Sequence, residues 1–189
     1  MRMIEDPREA GTRIVATLGP ASFDLAVALV EAGAMAIRLN GSHMTPGELE
    51  DVLQRVRAAL PSLPVVVDLQ GAKMRLGKFK EIVDQVDELW ICRGDLGSQL
   101  GPIELARWVG GFRPRGLQVP VLMAGQVLEH LTSHSEPTRS EICHLYDLGR
   151  RGYAGIVLSD ETAIGADPVG ALSQARVLLR AFGRDFSDC

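Results

Sequence analysis

Three scarcities bound this 189-residue chain before any motif is considered. Cysteine is rare: Cys92, Cys143 and Cys189 are odd in number, far apart and without zinc-type spacing. That argues against a disulfide framework and fits a reducing cytoplasm. Excess charge of one sign is also missing. Twenty basic against 24 acidic residues leave a net charge of −4, which gives no electrostatic case for nucleic acid or an anionic membrane as partner. No apolar run approaches the roughly 18 residues needed to span a bilayer. Residues 1–11 are charged and lack the apolar stretch of a signal peptide. The remainder is 46% hydrophobic and 23% charged, without long linkers or low-complexity segments. The expectation is one globular domain over residues 1–189 with a substantial core.

The hydrophobic pattern alternates between two periods. Short β-branched runs at residues 13–18, 34–39, 64–69, 88–92, 119–124 and 154–158 read as strands. Between them lie helical stretches. Residues 24–32 stop at Gly33. The next helix has Thr45 as cap, Pro46 at its first position and Glu48 at the capping-box position, with Leu49, Val52, Leu53 and Val56 as its core face. A shorter helix is expected over 79–86. Another over 104–109 is kept short by Gly110, Gly111 and Pro114. Residues 137–148 read as helical with Ser135 or Glu136 at the start. The last helix begins near Pro168 and buries Leu172, Ala175, Leu179 and Phe182. Six βα units of similar length imply parallel strands covered by helices, a reduced TIM-like (β/α) barrel or an open α/β sheet.

Each polar cluster follows a strand, which places function at the C-terminal strand ends. The chain is organised around Arg93-Gly94-Asp95-Leu96-Gly97. An Asp between glycines at a strand end is poor packing material and well placed to hold a metal or ligand. Capping the following turn is the competing role. Among other residues, His130 and His134 have the i, i+4 spacing of a helical zinc pair. Thr132-Ser133 between them and Pro137 soon after predict a loop instead. His144 and Tyr146 read as packing or surface residues, and Glu161 as a residue that holds a neighbouring loop.

Six segments, in order, resemble one family. Residues 12–22 (TRIVATLGPAS) resemble the opening strand of the pyruvate kinase barrel, and residues 38–43 (RLNGSH) its second-strand signature. Residues 68–75 (DLQGAKMR) resemble its third-strand motif. Residues 93–97 (RGDLG), 137–141 (PTRSE) and 158–163 (LSDETA) match later motifs. The resemblance implies that Arg38 faces the phosphate of phosphoenolpyruvate, where a planar cationic fork suits phosphoryl oxygens. It implies that Asp95 binds Mg2+ or Mn2+, and that Asn40, Ser42 and Asp68 surround K+. Backbone amides near Gly94 and Asp95 would hold the substrate carboxylate, with Gly125 beside them. Asn40, His43 and Arg75 would lie towards the nucleotide.

The same comparison exposes departures. The family barrel has eight strands, and two are missing here between the third and the fourth. With them goes a Lys-Ile-Glu strand end, which carries the lysine that stabilises the transferring group and a glutamate that shares the divalent metal. Gly125 stands in place of a threonine, Ile164 of a lysine and Leu69 of another threonine. Lys73, Lys78, Lys80 and Glu81 are the substitutes at hand, yet nothing in the sequence places them at the right strand end. Because such stabilisers typically contribute factors of about a hundred or more each, phosphotransfer is expected to be near background.

Three readings follow. One is a pyruvate-kinase-like binder of metal and an oxo-acid or phosphate. The second is a metal-assisted lyase or aldolase on a 2-oxo acid. The third is a non-catalytic assembly or regulatory scaffold. With two strands gone, the third and fourth present strands are expected to become direct neighbours, or else to leave open edges covered in a homodimer.

Overall fold

The computed structural model describes residues 12–40, 44–68, 88–117 and 119–186. Its centre is one sheet of six parallel strands: β1 (Arg13–Leu18), β2 (Ala36–Asn40), β3 (Val65–Asp68), β4 (Leu89–Cys92), β5 (Val121–Ala124) and β6 (Gly155–Leu158). The spatial order is β3-β2-β1-β6-β5-β4. Around it lie α1 (Ala26–Ala32), α2 (Pro46–Ala59), α3 (Arg93–Gly111), α4 (Arg139–Arg150), α5 (Asp160–Ala163) and α6 (Pro168–Phe186), with a 3-10 turn at Glu129–Thr132.

Alternation along each strand divides the core in two. Ile14, Ala16, Leu18, Ile37, Leu39, Met123, Ile156 and Leu158 face outward and pack with helix residues such as Leu29, Val52, Leu145 and Leu172. Val15, Ala36, Leu122, Ala124 and Val157 face inward and meet Trp90 and Cys92. This inner cluster runs from β2 through β1, β6 and β5 to β4 along one face of the sheet. Arg13 at the start of β1 also pairs with Glu88 just before β4, and Glu88 accepts from the indole N–H of Trp90. In a flat sheet those strands would stand three spacings apart, roughly 14 Å. The result is a curled half-barrel with helices outside.

The sheet does not join β3 to β4. Among the described residues they are its two edges, each paired on one side only. The expected direct pairing is therefore corrected. Closing a barrel needs strand number, tilt and shear to agree, and the six described strands do not close on themselves. For the same reason β4 is an edge strand, not a central one, and only Ile91 of its residues is buried.

Local signals account for most helix boundaries. Thr45 and Glu48 form the expected capping box on α2, and Gly33 ends α1. At α4 the cap is Thr138 with Glu141, a second capping box, instead of Ser135 or Glu136. Cap geometry decides here, because Thr138 has the extended backbone that presents its oxygen to the Glu141 amide. The helix expected at 104–109 is longer. α3 starts immediately after β4 and runs through Gly110 and Gly111, kinked where Gly101 (φ 74°, ψ 165°) precedes Pro102. Tertiary packing of Leu96, Leu105 and Trp108 on the sheet outweighs the glycine propensities. The α6 stripe is as read, with Leu172, Ala175 and Leu179 buried and Phe182 half-buried. The helix expected over 79–86 lies outside the described residues.

Candidate functional site

All six strands run the same way, so their C-terminal ends share one edge. Where β1, β2 and β6 end, a cavity of about 420 Å³ opens. Thr17, Arg38, Asn40, Ser159 and Asp160 give it a polar side, and Phe23, Met44 and Ile164 an apolar one. Arg38 donates from Nη1 to Thr17 Oγ1 at 3.3 Å. This ties the guanidinium to the cavity wall that Arg38 helps to line. Gly19 lines it as well, and a side chain there would meet the Ala163 carbonyl at 2.4 Å. The turn after β1 can therefore press against α5 only with glycine at that point.

Two buried residues build this wall from beneath. The β1–β6 ladder ends at Ala16 and Leu158. Beyond it the Thr162 hydroxyl takes over the role of a strand, accepting from Thr17 N at 3.0 Å and donating to Thr17 O at 2.8 Å. Glu161, 1% exposed, accepts from Leu128 N at 3.0 Å and from Ser159 N at 2.7 Å. Burial pushes its carboxyl above the ordinary range against the pull of those hydrogen bonds. Its work is to hold the loop after β5 to the end of β6, as the sequence indicated.

A second cluster forms where β4 and β5 end. Arg93, Gly94 and Asp95 are the first turn of α3, so their backbone N–H groups lie among those that a helix leaves without internal partners. Gly94 and Asp95 are exposed. Gly125, held at φ 81°, faces Arg93 and Gly94: a β-carbon on it would stand 3.6 Å from Gly94 N. With glycine at both places neither residue puts a side chain over the Gly94 amide, and an anion is the ligand a helix start of this kind suits. The Arg93 side chain turns away from that opening. Its Nε donates to the Gly125 carbonyl at 2.8 Å, Nη2 to the Gln126 carbonyl, and Nη1 lies 3.1 Å from His144 Nε2. Burial lowers the Arg93 pKa, opposed by the charge of Glu161.

The residues singled out in the sequence thus fall into two groups. Arg38 and Asn40 share the cavity; Gly94, Asp95 and Gly125 share the α3 start, four strand positions away along the sheet. Asp68 ends β3 in register with Asn40. Ser42, His43, Arg75, Leu69, Lys73, Lys78, Lys80 and Glu81 lie outside the described residues. His130 and His134 stack face to face at 3.7 Å in the 3-10 turn and the residues after it. The described residues contain no group of three or more His, Cys, Asp or Glu placed to hold a metal. Asp95 alone suits Mg2+ or Mn2+ only in the common arrangement in which one carboxylate is completed by ligand oxygens and water. Thr17, Thr162, Arg93 and His144 were not singled out as members of any site. Their partners are 145 and 51 residues distant, and only the Arg-Gly-Asp run hinted at one of them.

The comparisons agree with this geometry. The family model for the pyruvate kinase barrel domain matches residues 75–172, more than half of the chain. Plastidial pyruvate kinase 3 of Arabidopsis thaliana is 33% identical over 129 residues, covering 67% of this chain and 22% of that protein. Pyruvate kinase isozyme G of Nicotiana tabacum is 31% identical over 134 residues, 69% of this chain and 23% of that protein. The pyruvate kinase of Chlamydia trachomatis serovar D is 28% identical over 136 residues. The matched stretch spans about a quarter of the length of such relatives, 26% and 29% in two of them. A half-barrel of parallel strands, strand-end motifs in family order and the match over residues 75–172 lead to one conclusion: this chain belongs to the pyruvate kinase family.

Proposed function

We propose that this protein binds a small oxo-acid or phosphate ligand together with Mg2+ or Mn2+ at its C-terminal strand ends, and that it transfers phosphoryl groups poorly or not at all. The observation that carries this reading is the α3 start. Gly125 stands against the backbone of Arg93 and Gly94, where a β-carbon on it would lie 3.6 Å from Gly94 N, and the exposed Asp95 beside them adds one carboxylate. A divalent ion held there would screen the charge of a carboxylate or enolate. Arg38, on the cavity wall, is the cation for a phosphate, and Asn40, Asp68 (in register with it on β3) and Ser42 are the residues proposed for K+.

Phosphoryl transfer depends on positioning and charge neutralisation more than on covalent chemistry. Among the described residues β3 and β4 are the sheet's edges, and the family's Lys-Ile-Glu strand end is missing from the sequence between them, so several neutralising groups are lost together. The proposed catalytic pair, Arg38 and Asp95, is thus retained for binding. A homodimer is the proposed assembly, because the two edge strands each keep one unpaired side among the described residues. A cytoplasmic setting fits Cys92 and Cys143, neither of which is in a disulfide. No described helix is long and apolar enough to cross a membrane.

The test is thermal unfolding with Mg2+ or Mn2+, with and without oxalate or phosphoenolpyruvate, on the wild type and on Asp95→Ala. A ligand of the native state raises the midpoint by mass action. The expected result is a shift that requires metal and disappears in the variant. No shift at millimolar ligand overturns the proposal and leaves the scaffold reading. Turnover of a 2-oxo acid without nucleotide would instead favour the lyase reading.

A further inference from the structure

His144 is half-buried on α4, with its Nε2 3.1 Å from Arg93 Nη1. A guanidinium has only donors, so this contact is a hydrogen bond only if Nε2 is unprotonated and the ring proton sits on Nδ1. The same guanidinium donates to the carbonyls of Gly125 and Gln126. That turn is conformationally demanding. Gly125 has φ 81°, and Gln126, with φ 54°, is the one non-glycine described residue in the left-handed region. Of the two, Gln126 is the residue a left-handed backbone does not favour, and Arg93 bonds the carbonyls of both. Their position sets how closely Gly125 approaches Gly94 N.

We infer that His144 is a positioning residue for the strand-end site: neutral, it anchors Arg93 across the Gly125–Gln126 turn; protonated, it repels Arg93 and loosens the turn facing Gly94. The inference deepens the proposed function and rests on it. The charged neighbours act in both directions. Arg93 from α3 disfavours protonation of His144 most strongly among them, Asp147 on the same helix favours it, and Arg151 just after that helix disfavours it. Among acidic groups, Glu161 and Glu129 favour the charged form of Arg93, against its burial. Burial adds to the Arg93 charge in keeping the imidazole neutral, so the anchored arrangement is the resting one at neutral pH. Acidification releases it.

Two-dimensional NMR over pH 5 to 7.5 tests the anchor without ligand, by following the His144 ring and the backbone amides of Gly94, Gly125 and Gln126. In the wild type the three amides shift with the His144 midpoint, below its ordinary 6.5. His144→Gln keeps an acceptor that does not titrate, and removes the pH dependence. His144→Phe keeps the ring without an acceptor, and gives acid-like amide positions at every pH. Amides that still titrate in the Gln variant, or a wild-type midpoint at or above 6.5, overturn the inference. A second arm measures oxalate affinity with Mg2+ over the same range. The expected loss is about tenfold on acidification, the size of one hydrogen bond to a charged group, and none in His144→Gln. Oxalate binding that ignores pH while the amides titrate refutes the positioning role. If oxalate binds at no pH, the proposed function fails, and the amide titration alone decides whether the His144–Arg93 anchor exists.

Discussion

Replacing Thr162 by Val should separate the effect of two hydrogen bonds from that of packing. Valine has the same shape, so no cavity forms, and only the hydroxyl is lost. In its place two backbone groups of Thr17, the N–H at 3.0 Å and the C=O at 2.8 Å, lose their partner. Thr17 is 3% exposed and Thr162 fully buried, so water cannot step in without opening the junction of β1 and α5. An orphaned buried group costs about 1–3 kcal/mol, and two together about 2–6 kcal/mol. Against a total stability of roughly 5–15 kcal/mol that is a large share. Urea unfolding is the assay. A loss of about 3 kcal/mol lowers the midpoint by roughly 1–2 M at ordinary m-values. Thr162→Ser is the control: it keeps the hydroxyl and gives up one buried methyl, about 1 kcal/mol. The expected order is wild type, Ser, Val. If the Val protein equals or exceeds the Ser protein, the strand-substitute role assigned to Thr162 is wrong. The cavity should respond too, because Thr17 carries the oxygen to which Arg38 is tied.

Other expectations follow from the same reading. Thr138→Ala removes the α4 capping box and should cost about 1 kcal/mol, read as a lower urea midpoint with unchanged slope. Gly125→Ala forces a side chain to φ 81°, costing about 1–2 kcal/mol, and places a methyl 3.6 Å from Gly94 N; calorimetry should show oxalate binding weakened more than stability. Stability should also depend on pH in two opposite ways. The folded-state pKa of His144 is depressed, so the unfolded chain binds more protons between that value and about 6.5, and stability falls as pH drops through this window. Glu161 has a raised folded-state pKa, so its contribution is present below about 4.5 and lost as pH rises through the raised value. Unfolding midpoints of His144→Gln and Glu161→Gln across pH 4 to 8 should each lose one of these slopes; an unchanged profile in either variant removes that residue as the source.

Much of this molecule was legible as a string. Short continuous apolar runs place the six strands to within a residue or two, because burial on both faces of a parallel sheet demands β-branched and aliphatic side chains. Thr45, Pro46 and Glu48 mark the start of α2, since a capping box is a contact between residues three apart. Leu172, Ala175 and Leu179 give the buried stripe of α6 by spacing alone. The order of motifs gave the family, and strand-to-helix polarity gave the edge on which to look for a site.

What the string could not contain was decided between elements distant in sequence. The edge positions of β3 and β4 depend on whether six tilted strands can close, a property of the whole sheet. Gly110 and Gly111 stay helical because α3 packs on the sheet, against their own propensity. Arg38 with Asn40, and Gly94 with Gly125, meet only because parallel strands deliver their ends to one edge, and curling decides which ends converge. Thr162 on Thr17 and His144 on Arg93 join residues 145 and 51 positions apart. A hydroxyl standing in for a strand, or an imidazole for a counter-ion, leaves no periodic trace in the sequence. Local chemistry therefore determined the elements and the family, while the site belongs to tertiary structure, where hydrogen bonds and charge act over distances that sequence spacing does not record.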